Sequence, residues 1–125
     1  MSLRTLGWLS GAYDLLLALP LLFAAEAVAR AFGGPAPVPL VNAQLNGVFT
    51  LALAAGYFWA AGAPEARRGY YWVAGVLAKG AGAALFVADH FRGGSPASFL
   101  VFAASDGTLA VLTLVLLLSP RRPGA

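Results

Sequence analysis

The chain is 125 residues long, one domain's worth of material, with 60% hydrophobic side chains, only 10% charged ones and a net charge of +3. Soluble domains carry roughly 25% charged residues, so this chain has too few polar side chains to cover a surface facing water. The absence of cysteine excludes disulfides, Cys-ligated zinc, iron–sulfur clusters and thiol catalysis.

Four segments have the roughly 20 mostly apolar residues that a helix needs to cross a bilayer. They run over about 6–32, 40–62, 69–91 and 96–118, which predicts an all-α, integral membrane four-helix up-down bundle forming a single transmembrane domain over 1–125. The connectors read as helix breaks. Gly33-Gly34-Pro35-Ala36-Pro37-Val38-Pro39 cannot continue a helix, and Ala63-Pro64 closes the second span. Gly93-Gly94-Ser95-Pro96 opens the fourth, with Ser95 as N-cap and Pro96 in the first helical position. Short joins make consecutive helices antiparallel neighbours. A signal-peptide reading of the first segment, with cleavage after Ala27-Val28-Ala29, is disfavoured by Asp14 and by the length of the apolar stretch.

Basic residues near span ends set orientation. Arg4, Arg67, Arg68, Arg121 and Arg122 fall on one side, Arg30 and Arg92 on the other. The expectation is a multi-pass protein of the cell (inner) membrane with both termini cytoplasmic. Trp8, Trp59, Trp72, Tyr57, Tyr70 and Tyr71 fall near the same boundary, where amphipathic rings prefer to sit. The arginine doublets sit at the ends of apolar runs without a basic stripe, so nucleic acid is not an expected partner.

At 1.5 Å per residue, Asp14 in the first span, Lys79 in the third and Asp106 in the fourth reach about the same depth, near the bilayer centre. Each costs roughly 2.5–3.5 kcal/mol there, so all three should face the bundle interior and pair. Two acids and one base predict that Lys79 pairs with one aspartate, Asp106 on the adjacent helix before Asp14, while the other is neutralised by a proton. Small residues flank each position: Gly7, Gly11 and Ala18 around Asp14, Gly75 and Gly82 around Lys79, Ala103 and Ala110 around Asp106. They permit close helix approach. Asn42, Asn46 and Thr50 form one stripe on the second helix, running toward this level, and Gln44 points elsewhere.

Other motifs fall short of a chemistry. His90, the single histidine, stands beside Asp89 and Arg92 at a span end and without cysteine makes neither a metal nor a haem site. Lys79-Gly80-Ala81-Gly82 lacks the rest of a phosphate loop. Ser105 has no histidine at its depth. No catalytic residue, metal or cofactor is expected, and an enzyme is the least favoured class. An acid in the first of four short spans resembles the small multidrug-resistance exporters, but their later aromatic and glycine signatures are absent and Lys79 would neutralise the acid.

Along most of the chain the pattern Tyr13-Asp14, Gly56-Tyr57 with Ala60-Ala61 and Pro64, Trp72 through Gly75-Val76-Leu77-Ala78-Lys79, and Asp106 resembles a family of small bacterial four-span proteins of unassigned function. Ser105-Asp106 stands where members carry Asn-Asp, and Ala78 where they carry glycine. The resemblance implies that Asp14, Lys79 and Asp106 belong to the family pattern, and it brings no activity. The architecture is also similar to DoxX-like and sterol-isomerase-like (EXPERA) bundles.

Three functions compete. A cavity lined by Asp14, Asn46, Lys79 and Asp106, with Asn42, Thr50 and Tyr57 as secondary residues and Phe49, Phe86 and Phe102 as walls, would hold a lipid, quinone or isoprenoid-like molecule. Alternatively the polar core is structural, and the chain is an accessory subunit or homo-oligomer docking through Ala52, Gly56 and Ala60. The third reading is a small proton- or solute-coupled transporter using Asn42, Asn46, Asp14 and Asp106, with only Thr113 and Tyr57 in the other half.

Overall fold

The computed structural model describes residues 1–120. Arg121 and Arg122, on which the orientation argument partly rests, lie outside the described residues.

The described residues are all-helical in their secondary structure, with four helices long and apolar enough to cross a membrane: Leu3–Phe23, Leu40–Gly62, Arg68–Phe91 and Ala97–Leu118. The first is α1, which Ser2 caps by accepting the amide of Thr5 at 3.2 Å. The predicted single helix over 6–32 is divided. Pro20 removes one helical hydrogen bond, Ala24 leaves helical geometry, and a separate short helix, α2, covers Ala25–Ala31. The second span is α3 (Leu40–Gly62).

The third span begins as α4 (Arg68–Tyr70), widens into a π-helical segment, Tyr71–Ala78, and continues as α5 (Lys79–Phe91). The Lys79 amide accordingly reaches back five residues to the Ala74 carbonyl. A π turn takes up an extra residue and shifts the phase of the helix after it. Tyr71, Ala74, Gly75 and Lys79 are all buried. The fourth span starts as a 3-10 turn, Ala97–Phe99, and becomes α6 (Leu100–Leu118). Ser95 does not cap it as expected. Its hydroxyl donates to Asp89 instead, and Pro96 takes the extended cap position.

Glycines end α2 and α5 in the same way. Gly33 (φ 70°) and Gly93 (φ 80°) adopt the left-handed conformation. In each case the glycine amide and the next one return to carbonyls of the last helical turn, Gly33 to Arg30 and Gly34 to Ala29, Gly93 to His90 and Gly94 to Asp89.

The spans pack as two antiparallel hairpins. The first pairs α1 with α3, the second α6 with α5 and the π-helical segment. Between the hairpins, the contacts run from α3 to α4 and the π-helical segment, and from α1 to α6. The core of Leu3, Tyr57, Ala60, Tyr71, Ala74 and Leu117 closes the bundle at the end that carries the chain termini. Toward the other end, where the first and third connectors lie, a cavity opens between α1, α2, α3 and the aromatic side chains Phe86, Phe99 and Phe102. Tyr57 and Tyr71 were expected at a membrane boundary but belong to this core, fully buried, while Trp8, Trp59 and Trp72 remain exposed. Burial offers these tyrosines more apolar contact than an interface could.

The small-residue stripe of α3 is largely used internally. Tyr70 packs over Gly56 and donates to the Leu53 carbonyl at 2.6 Å, and Ala60 is buried, so only Ala52 stays exposed.

Candidate functional site

Three spans bring their ionisable residues to one point. Lys79 Nζ donates to Asp14 Oδ1 at 2.6 Å and lies 3.5 Å from Asp106 Oδ1. Lys79 thus bridges the hairpins, and its shorter contact crosses to α1 rather than going to Asp106 on the neighbouring helix, as the sequence suggested. The two carboxylates differ in surroundings. The Asp14 side chain is 4% exposed and that of Asp106 is 18% exposed. Asp14 Oδ2 has no hydrogen-bond partner among the described residues.

Aromatic rings surround the ammonium. Lys79 Nζ stands 4.8 Å from the Tyr13 ring centre and 5.6 Å from that of Tyr57, within the range in which ring quadrupoles attract a cation. The Tyr13 hydroxyl lies 2.6 Å from Ser105 Oγ, a second link between α1 and α6. Helix spacing places Gly7, Ser10, Gly11, Asp14 and Ala18 on one buried face of α1, and the charge meets its partner there because the glycines admit close neighbours. Tyr71 packs over Gly7, and Phe58 over Gly11 at 2.5 Å from where a Cβ would stand. In the same manner Gly75 admits Thr113, whose hydroxyl donates back to Leu109 at 2.6 Å.

Two cavities adjoin the cluster. The smaller, about 120 Å³, touches Asp14, Lys79 and Asp106, with Leu17, Ala78, Thr50 and Leu53 around them. The larger, about 790 Å³, shares Leu17, Thr50, Leu53 and Asp106 with it and extends toward the connector end. Its sides come from Leu16, Pro20 and Leu21 of α1, Ala43, Asn46 and Phe49 of α3, and Phe86 and Phe102 across from them. Ala25, Val28, Ala29 and Phe32 form a further side, built by the segment that the break at Ala24 releases from α1. Phe32 reaches the second hairpin, with its ring 4.9 Å from Phe102 and 6.1 Å from Phe99. Phe49 is 64% exposed and stands at an open side.

The residues singled out in the sequence are distributed as follows. Asp14, Lys79 and Asp106 meet, and Asn46, Thr50, Phe49, Phe86 and Phe102 line the large cavity along with Asp106. Asn42 is exposed and lines neither cavity. Tyr57 lies on the termini side of the cluster, outside both cavities. Sequence reasoning missed Tyr13, Ser105, Ser10, Tyr71 and the whole contribution of α2. A helical wheel through Asp14 would have found Ser10, and Pro20 was a signal that α1 does not run to Phe32.

On the termini side of the ions lie more buried polar groups. Ser10 Oγ and the Tyr57 and Tyr71 hydroxyls have no hydrogen-bond partner among the described residues. Among the described residues no group of three or more His, Asp or Glu side chains is placed to hold a metal ion.

No family model, curated protein or solved structure matches the chain.

Proposed function

We propose that this is a ligand-binding bundle of a bacterial inner membrane, with both termini cytoplasmic, that takes up a lipid or another apolar molecule between its two hairpins. The observation that carries the reading is the cavity of about 790 Å³, lined mostly by apolar side chains with Asn46, Thr50 and Asp106 as its polar members. Ligand sites typically measure about 300–1,000 Å³ and combine apolar walls with a few convergent polar groups. The packed core at the termini end gives the cavity one closed end, the shape of a cup rather than a channel. The arginine distribution supports the orientation. The likeness to small bacterial four-span proteins through Tyr13-Asp14, Lys79 and Asp106 agrees with the membrane placement. A role as accessory subunit or homo-oligomer is compatible with a cup that presents its ligand to a partner.

The test is thermal stability of the purified protein across a panel of lipids, quinones and isoprenoids, with Ala43→Trp as a variant that fills the cavity. At least one class should raise the melting temperature of the wild type and leave Ala43→Trp unmoved. A panel without any response overturns the reading.

A second reading, proton- or solute-coupled transport, is favoured by the orphaned hydroxyls of Ser10, Tyr57 and Tyr71, which continue the polar interior from the ions toward the termini end. Proteoliposome flux that disappears in Asp14→Asn or Asp106→Asn would support it, and flux indifferent to both would remove it.

A further inference from the structure

We infer that the large cavity selects amphiphiles with a protonated amine head, whose ammonium group is held by Asp106. The inference rests on the binding reading above and adds the chemistry of the head.

The argument begins with the charges. The residues that line the two cavities include two acids, Asp14 and Asp106, and one base, Lys79. The ammonium of Lys79 is committed to Asp14 at 2.6 Å, and its contact with Asp106 is the longer one, 3.5 Å. The segment of α3 facing them contributes neutral Asn46 and Thr50, so no second cation offsets Asp106 there. An ionised cluster carries one uncompensated negative charge, which is costly away from water, and Asp106 is its member with access to the large cavity.

Hydrogen-bonding capacity points the same way. A primary ammonium offers three donors and no acceptor. Asp106 and Thr50 stand where the two cavities meet, and Asn46, one turn along α3 from Thr50, adds a carboxamide to the lining of the larger one. Thr50 spends its proton on the Asn46 backbone carbonyl at 2.7 Å and so faces the cavity as an acceptor. Phe102 and Phe86 line the same cavity as Asp106, and aromatic rings attract cations. A phosphate or carboxylate head would place like charge against Asp106 while Lys79 is already engaged, a repulsive element that discriminates between ligands.

The experiment uses the full chain in zwitterionic nanodiscs and measures displacement of a fluorescent apolar probe from the cavity. Four ligands share one hexadecyl chain: the amine, the alcohol, the trimethylammonium and the carboxylate. The amine should displace the probe at a concentration at least about tenfold below the alcohol, which corresponds to about 1.4 kcal/mol. The trimethylammonium, charged but without donors, should fall between them, and the carboxylate should be weakest. Asp106→Asn should remove the amine's advantage over the alcohol. If Asp106→Asn does not fold, Asn46→Leu, at an exposed position, should narrow the amine's advantage in its place, and the wild-type series decides by itself. An alcohol equal to the amine, or a carboxylate that binds more tightly, overturns the head-group inference while the cavity reading stands. A series in which no chain displaces the probe overturns both.

Discussion

Lys79 lies 2.6 Å from Asp14 across the two hairpins and 3.5 Å from Asp106 within its own hairpin. The helix that is its neighbour in packing therefore provides the weaker partner. Removing one member of a buried pair leaves the other charge uncompensated, at a cost of about 3–5 kcal/mol. Asp14→Asn should destabilise the protein by about that amount and Asp106→Asn by clearly less. Lys79→Met combined with Asp14→Leu should recover much of the loss. Reversible unfolding in mixed micelles measures all three, and equal effects of the two aspartate variants would contradict the asymmetry.

The close packing of α1 on α3 depends on Gly47. A Cβ there would stand 3.0 Å from the Leu22 amide nitrogen and 3.2 Å from the Ala18 carbonyl oxygen, backbone atoms that cannot turn aside. Gly47→Ala should cost about 1–3 kcal/mol, the range for overpacking. Gly80 is the contrast, since the nearest atom to its added Cβ is 3.9 Å away. Gly80→Ala should stabilise by up to about 1 kcal/mol through helix propensity alone. The same unfolding assay separates the two.

Tyr13 and Ser105 join α1 to α6 through hydroxyls 2.6 Å apart. Ser105 also donates to the Val101 carbonyl at 2.8 Å, so the tyrosine can be the donor of the shared bond. Tyr13→Phe and Ser105→Ala should each cost modestly, with a coupling energy of about 1 kcal/mol in a double-mutant cycle. Additive effects would mean that the link contributes no stability.

Helix α2 is held over the cavity by Phe32 against Phe99 and Phe102. Phe32→Ala should raise amide exchange throughout Ala25–Ala31 and leave α3 protected, and it should speed release of a cavity ligand. Hydrogen exchange followed by mass spectrometry gives the first result and stopped-flow displacement the second. Unchanged exchange in α2 would show that the apolar contacts of Ala25, Val28 and Ala29 suffice.

The absence of cysteine makes orientation directly measurable. Single cysteines at Ala36 in the first connector and Ala66 in the second, both exposed, should differ in labelling by an impermeant thiol reagent applied to intact cells. With the termini cytoplasmic, Ala36→Cys reacts and Ala66→Cys does so only after lysis. The reverse pattern would invert the protein in the membrane.

Much of the site could be read along the helices, because Asp14, Lys79 and Asp106 stand at equal depth in three spans and an ion buried there needs a partner. Which aspartate Lys79 prefers could not be read. That depends on the π-helical turn before it and on how the hairpins pack together, neither of which leaves a mark in the order of residues. The tyrosines taught the same lesson, since position along a span set their depth but packing against Leu3, Ala60 and Leu117 put Tyr57 and Tyr71 inside.

The four-span bundle follows from composition and the spacing of its breaks, for apolar length and Gly/Pro punctuation act locally on each segment. The cavity is a tertiary outcome. Leu6 to Phe32 reads as one apolar helix, yet the chain breaks at Ala24 after Pro20, and the released segment brings Phe32 against Phe99 and Phe102 at the start of the fourth span. Those partners lie some 70 residues away in sequence, and a contact over that distance is tertiary packing that local propensity does not encode.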